Sequence, residues 1–413
     1  MDTRKLSEEI FSGVLDISRD STGVTRAAYG ETETQTIAFL EEIARRFNIH
    51  TFRDPAANVV FEQDAAAEAP YILIGSHLDT VPKGGNYDGL AGVAAGLVLL
   101  CEFQQTGVRP PVPVKAIGFR GEESAWFGVP YLGSKSLLGK ITPTELEALH
   151  RDTQKPFKDY LLHAGADVDR IAQGIPLLNA DRVAAFIELH IEQGPIMVDR
   201  KLPVASVAGI RGNLRHRCIR CLGEAGHSGA VPRWLRHDAV FAASELITRI
   251  DDHWNTILQH GGDVVLTFGI LSTNPQEHAM TRIPGDVSFS FEARSQNDST
   301  LNAMEALLHS ECETIEHDRR VSFEFDPIIR TPSALLDRSI VERFSTLIES
   351  EGLVAETIPS GAGHDAAVFA NAGVPTGMLF IRNQNGSHNP REEMDMEDFL
   401  AAVRILRRFI LEY

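Results

Sequence analysis

Tyr71-Ile-Leu-Ile-Gly-Ser-His77-Leu-Asp79-Thr-Val-Pro-Lys-Gly-Gly-Asn-Tyr-Asp88-Gly89 runs from a short apolar segment into a glycine-rich loop bearing a histidine and two aspartates. An apolar segment of this kind suits a strand buried on both faces, as in a parallel sheet covered by helices. The next stretch, residues 89–103, is rich in Gly, Ala and Leu and predicts a helix that packs tightly on such a sheet. His77 and Asp79 sit two residues apart and so leave the strand on one side. A carboxylate beside a histidine can orient a metal ligand by holding its far ring nitrogen. The loop delivers Asp88 to the helix start, where it either bridges two cations or merely caps the helix.

Outward from this segment the pattern repeats. Residues 34–47 place apolar side chains at helical spacing, residues 57–62 read as a strand, and 114–119 and 184–189 are further buried strands. After Thr331 the rhythm returns, with a helix over 339–351, a strand over 377–381 and a terminal helix from Asp398. Alternating strands and helices predict a doubly wound α/β domain. Between these parts the order changes to a strand (215–222), a helix (238–254), two strands (264–271, 287–293), a helix (301–315) and a strand (321–325). That β-α-β-β-α-β order is the ferredoxin-like α+β pattern. The expected organisation is a catalytic domain over 1–210 and 328–413, interrupted by an inserted domain over 211–327.

A chain of 413 residues with 43% hydrophobic and 23% charged residues has soluble globular composition and room for two or three domains. Its formal net charge of −18 disfavours nucleic acid and anionic membrane as partners, because binding to phosphate needs a basic field. Met1-Asp-Thr-Arg-Lys-Leu-Ser-Glu-Glu9 offers no apolar leader segment, so a cytoplasmic location is expected. Cys218 and Cys221 form a lone C-x-x-C on a predicted strand, where positions three apart face opposite ways, so they read as structural.

Other strand ends carry further candidate ligands. Phe119-Arg-Gly-Glu122-Glu123 places two carboxylates after an apolar strand, so that one can bind metal while the other acts as a base toward water. Glu188-Leu-His190-Ile-Glu-Gln193-Gly-Pro and Asn385-Gly-Ser-His388-Asn-Pro each supply a histidine. Ligands gather at the carboxyl ends of strands in such folds. Nitrogen and oxygen donors without thiolates suit Zn, Mn, Co or Ni.

These segments, with Gly223-Glu-Ala-Gly-His227-Ser-Gly and Ser360-Gly-Ala-Gly-His364-Asp-Ala, resemble the M20 metallopeptidase clan. The resemblance is to its amidase/hydantoinase/carbamoylase branch, and it spans nearly the whole chain. It implies a homodimer hydrolysing an N-carbamoyl (ureido) amino acid or similar small carboxylated amide, with two divalent metal ions (Zn or Mn, with Co or Ni as alternatives) per subunit. By resemblance, His77 and His190 bind one metal, Glu123 and His388 the other, and Asp88 bridges them. Glu122 would be the general base, with Asp79 as supporting catalytic residue. His227 would reach the neighbouring active site from the inserted lid and dimerisation domain. Gln193, His364 and Arg294 would contact substrate, with Arg294 holding its carboxylate. His190, where peptidases and deacylases of the clan place Asp or Glu, favours the carbamoylase branch. Thr281 stands where relatives carry a substrate-binding asparagine, and Trp126 and Arg233 also depart from the family pattern. Trp126 either walls the substrate pocket or packs under its loop. The competing readings are an N-acyl amino acid or dipeptide hydrolase of the same clan, and a non-catalytic binding member; the retained Glu122 and five ligands weigh against the latter.

Overall fold

The computed structural model describes residues 2–63 and 70–413 and divides into two compact units, Met1–Ile210 with Leu335–Tyr413, and Arg211–Ala334. The first unit is built on a nine-stranded mixed sheet whose strands include β1 (His50–Arg53), β2 (Val59–Glu62), β3 (Tyr71–His77), β4 (Val114–Phe119), β5 (Val183–Ile191), β6 (Val204–Ile210), β7 (Thr357–Ser360) and β8 (Thr376–Ile381). Their spatial order is β1-β2-β4-β3-β5-β8-β6, and both β7 and the short strand Ala334–Leu335 also pair with β6. β4, β3, β5 and β8 are mutually parallel, so their carboxyl ends lie along one edge. Antiparallel pairing of β1 with β2, β2 with β4, and β6 with β8 makes the sheet mixed rather than wholly parallel.

Period-two alternation decides which side chains reach the site. In β5, Ile187, Leu189 and Ile191 enter a core shared with helices α1 (Thr3–Ser18), α2 (Glu31–Arg46), α3 (Leu90–Thr106), α4 (Arg338–Ser350) and α6 (Met396–Leu411). Phe186, Glu188 and His190 therefore face the other side. There Phe186 stacks on Phe369 of the short helix α5 (Asp365–Asn371), with ring centroids 4.2 Å apart. α3 lies as close to the sheet as its small residues imply: a Cβ on Gly92 would stand 2.3 Å from the Leu189 carbonyl oxygen. β7 contains Pro359, which breaks its pairing register with β6; this masks it as a strand in the sequence.

The second unit is built on a six-stranded antiparallel sheet, in the order Leu271–Thr273, Asp286–Ser295, Gly212–Leu222, Ser322–Phe325, with Val265–Thr267 also on Asp286–Ser295 and Ile329–Thr331 also on Gly212–Leu222. Helices Ala239–Gln259 and Asp298–Arg319, capped by Asp238 and Asn297, bury their apolar faces in the unit's core. The expected single strand over 264–271 is instead two short strands, because the pairing slips by one residue around Gly269. Cys221 is buried and Cys218 exposed, and both are free thiols. Among the described residues no helix is long and apolar enough to cross a membrane.

Candidate metal centre

The edge formed by the carboxyl ends of β3, β4, β5 and β8 carries the candidate ligands. His77 is the last residue of β3, and His190 the penultimate residue of β5. Asp88 does not cap α3: the cap position is Gly89, in the left-handed region at φ 68°, and no side chain caps this helix. Gly89 is required there, since a Cβ would stand 2.5 Å from His77 Nδ1. Released from capping, the buried Asp88 carboxylate turns to the histidines.

Asp88 Oδ1 lies 3.3 Å from His77 Nε2 and 3.2 Å from His190 Nε2, and those two ring nitrogens are 3.4 Å apart. Asp88 Oδ2 lies 3.4 Å from His388 Nε2, which is 3.1 Å from Glu123 Oε1. One carboxylate thus faces two separate ligand groups, one through each oxygen. Glu122 is buried beside them, its Oε2 4.0 Å from His77 Nε2. Burial, reinforced by repulsion from Glu123, pushes the Glu122 carboxyl well above the usual range.

The donor set fits cations better than it fits itself. His77 Nδ1 donates to the Asp79 carbonyl at 3.0 Å and His190 Nδ1 to the Ile191 carbonyl at 2.8 Å. Carbonyls only accept, so each Nδ1 carries a proton, and in the neutral imidazoles both Nε2 lone pairs are left to face a cation. A long contact from Gly89 N–H to His190 Nε2 at 3.3 Å leaves most of that electron density unanswered. Asp88 Oδ1, buried between them, has no hydrogen-bond partner among the described residues. Converging lone pairs around a buried, unsatisfied carboxylate oxygen suit a divalent ion with imidazole and carboxylate ligands. The second group makes the same demand for positive charge: hydrogen bonds to Asp88 and Glu123 push His388 up to about 11. A further grouping of Glu188, His190 and His364 is spoken for. Glu188 accepts from the Ser76 hydroxyl at 2.6 Å and Ala366 N–H at 2.7 Å, while His364 Nε2 pairs with Ser360 Oγ at 2.8 Å.

Asp79 lies beside His77 as the sequence suggests, but its carboxylate is not the nearest acceptor of the ring proton. Its carboxylate is 3.5 Å from His77 Nδ1, and it is the Asp79 carbonyl that takes the ring proton. The carboxylate instead accepts the backbone N–H of Glu122 at 2.9 Å and of Glu123 at 3.0 Å, fixing the acidic pair. Gln193, held at φ 64°, donates its amide to Asp88 Oδ2 at 2.8 Å. His364 is fully buried against His190, and that burial holds its pKa well below the usual value. Trp126 is 4% exposed, donates its indole N–H to the Thr80 carbonyl at 2.8 Å and stacks on His150. It packs under the loop and offers no apolar wall.

The remaining candidates belong to the second unit. Gly226–His227 pairs with Arg282–Ile283, and Ser228 N–H donates to the Thr281 carbonyl, so His227 and Thr281 are neighbours. Arg294 lies on the separate strand Asp286–Ser295 and bonds Glu292 at 3.1 Å. Sequence reading missed two buried residues that support the loop carrying Asp88. Arg26 donates to the Leu78 carbonyl at 2.6 Å and Asn86 Oδ1 at 3.0 Å, holding both ends of the loop before Asp88. Glu392 accepts the backbone N–H of Asp88 at 3.2 Å. Neither lies at a strand end or in a glycine-rich turn, the signals that marked the others.

The model of Peptidase family M20/M25/M40 matches residues 73–412. The N-carbamoyl-L-amino acid amidohydrolase of Geobacillus stearothermophilus is 30% identical over 389 residues, covering 94% of this chain and 92% of that protein. The allantoate amidohydrolase of Escherichia coli is 27% identical, covering 98% and 96%. A crystal structure of an amidase of the hydantoinase/carbamoylase family from Burkholderia multivorans superposes with a TM-score of 0.88 at 26% identity, covering 100% of this chain and 97% of that one.

Proposed function

This chain belongs to Peptidase family M20/M25/M40, and from that premise we propose that it is a two-cation hydrolase cleaving a carbon–nitrogen bond of a small ureido or carbamoyl acid. The observation that carries the reading is Asp88, whose two oxygens face separate ligand groups, His77 with His190 and Glu123 with His388. Zinc or manganese held there would supply Lewis acidity and a water acidic enough to be deprotonated near neutral pH. Glu122, whose Oε2 lies 4.0 Å from His77 Nε2, would take that proton and return it to the leaving nitrogen. Asp79 keeps the base and the neighbouring ligand at fixed separation by gripping both backbone N–H groups.

The inserted unit would complete the site from a second subunit of a homodimer. His227 Nδ1 accepts the Gly229 N–H at 3.2 Å, which leaves the ring proton on Nε2, where it would donate to a developing oxyanion. Arg294 would hold the substrate carboxylate as a fork. With Trp126 buried, it lends the substrate pocket no apolar wall, and small acids fit the reading as well as bulky ones. Ammonia release from N-carbamoyl glycine, methionine, phenylalanine and tryptophan, with zinc and then manganese, tests the proposal. Turnover of at least one is expected; hydrolysis of N-acyl amino acids or dipeptides alone would replace it with the peptidase-like reading.

A further inference from the structure

Glu392 is a buried carboxyl that is neither a candidate ligand nor in contact with a candidate reacting atom. Its Oε1 accepts the backbone N–H of Tyr87 at 2.8 Å and of Asp88 at 3.2 Å. Its Oε2 lies 2.5 Å from the hydroxyl of Ser387, which is itself 2.5 Å from Asp88 Oδ2. One carboxylate therefore ties the backbone of the shared ligand Asp88 to the residue preceding His388. The fold makes room for it: a Cβ on Gly85 would stand 2.1 Å from Glu392 Cδ and 2.4 Å from its Cβ.

The two ligand groups differ in how they are supported. His77 and His190 are carried by neighbouring buried strands, and backbone carbonyls set their rings. His388 sits in a loop where Asn385, Gly386 and His388 itself have positive φ, at 65°, 66° and 60°. Non-glycine residues disfavour that region, so such a loop keeps its shape only when its surroundings impose it. We infer that Glu392 is a positioning residue that locks the His388 loop to the Asp88 loop and thereby selectively supports the cation group of Asp88 Oδ2, Glu123 and His388. The inference rests on the two-cation reading above.

Removing such a support ordinarily weakens metal affinity about 10–100-fold. Calorimetric titration with Zn²⁺, together with metal content after dialysis, separates the possibilities. The wild-type protein is expected to hold two Zn²⁺. Glu392→Ala should keep one at wild-type affinity and lose about 10–100-fold at the other. Glu392→Gln should restore the second, since its amide oxygen can accept both N–H groups and its NH₂ can donate to Ser387 Oγ. Gly85→Ala, which displaces the carboxylate without altering it, should reproduce the selective loss and covers the case in which Glu392→Ala does not fold. Two wild-type affinities in both Glu392→Ala and Gly85→Ala, or equal weakening of both sites, would overturn the inference while leaving the two-cation reading intact. Fewer than two Zn²⁺ in the wild-type protein would overturn both.

Discussion

Replacing Asp79 with alanine removes the acceptor of two buried backbone N–H groups, those of Glu122 and Glu123, at 2.9 and 3.0 Å. Leaving a buried donor unsatisfied costs about 1–3 kcal/mol, so the pair sets a loss of about 2–6 kcal/mol when no water replaces the carboxylate. Asp79→Asn retains one oxygen but turns an NH₂ toward the other N–H, so it should lose about half of that. Chemical unfolding of the chelator-treated protein is the appropriate assay, because bound cations would add their own stabilisation. Turnover should also fall about 10²-fold in the metal-loaded alanine variant, since a base displaced by about 1 Å loses that much. Unchanged stability of the metal-free protein together with unchanged kcat would refute the role assigned to Asp79.

Glu122→Gln should keep its metal content yet lose about 10²–10⁴ in turnover, and near-wild-type activity at full occupancy would exclude it as the base. His227→Ala and Glu122→Gln proteins should each be nearly inactive, whereas verified mixed heterodimers should regain activity because one of their two sites carries neither defect; no recovery would place His227 within its own chain's site or outside catalysis. Asp20 accepts from the Thr25 hydroxyl and from Thr22 and Gly23 N–H, which lower its pKa from 3.8 to about 2. A depressed folded-state pKa contributes stability that is present above pH 3.8 and lost as pH falls toward 2, so Asp20→Asn should flatten the acid limb of a stability–pH curve within that window and leave neutral pH dependence alone.

The strands bearing the candidate ligands were legible because their apolar runs end in glycine-rich turns with His, Asp or Glu at the exit. Period two then assigned His77 and Asp79 to one side, and tertiary geometry settled what each does: a carbonyl outcompetes the carboxylate for His77, freeing Asp79 to bind the next strand's loop. Asp88 was open to two readings until the left-handed Gly89 took the cap position. Trp126 was equally open, since an aromatic residue beside a catalytic motif has no local signature for burial; its stacking on His150 decides the matter. Arg26 and Glu392 stayed hidden because their work is on distant backbone groups, and the distance along the chain from Glu392 to Asp88 leaves no pattern to read.

Metal content of the purified protein, loaded with Zn²⁺ and dialysed, tests the central claim most directly when measured beside Asp88→Ala and His388→Ala. If Asp88 joins two cation groups, the wild-type chain holds two ions, His388→Ala holds one, and Asp88→Ala holds neither at comparable affinity. A wild-type chain holding one ion or none, or an Asp88→Ala chain that still binds two, would contradict the account.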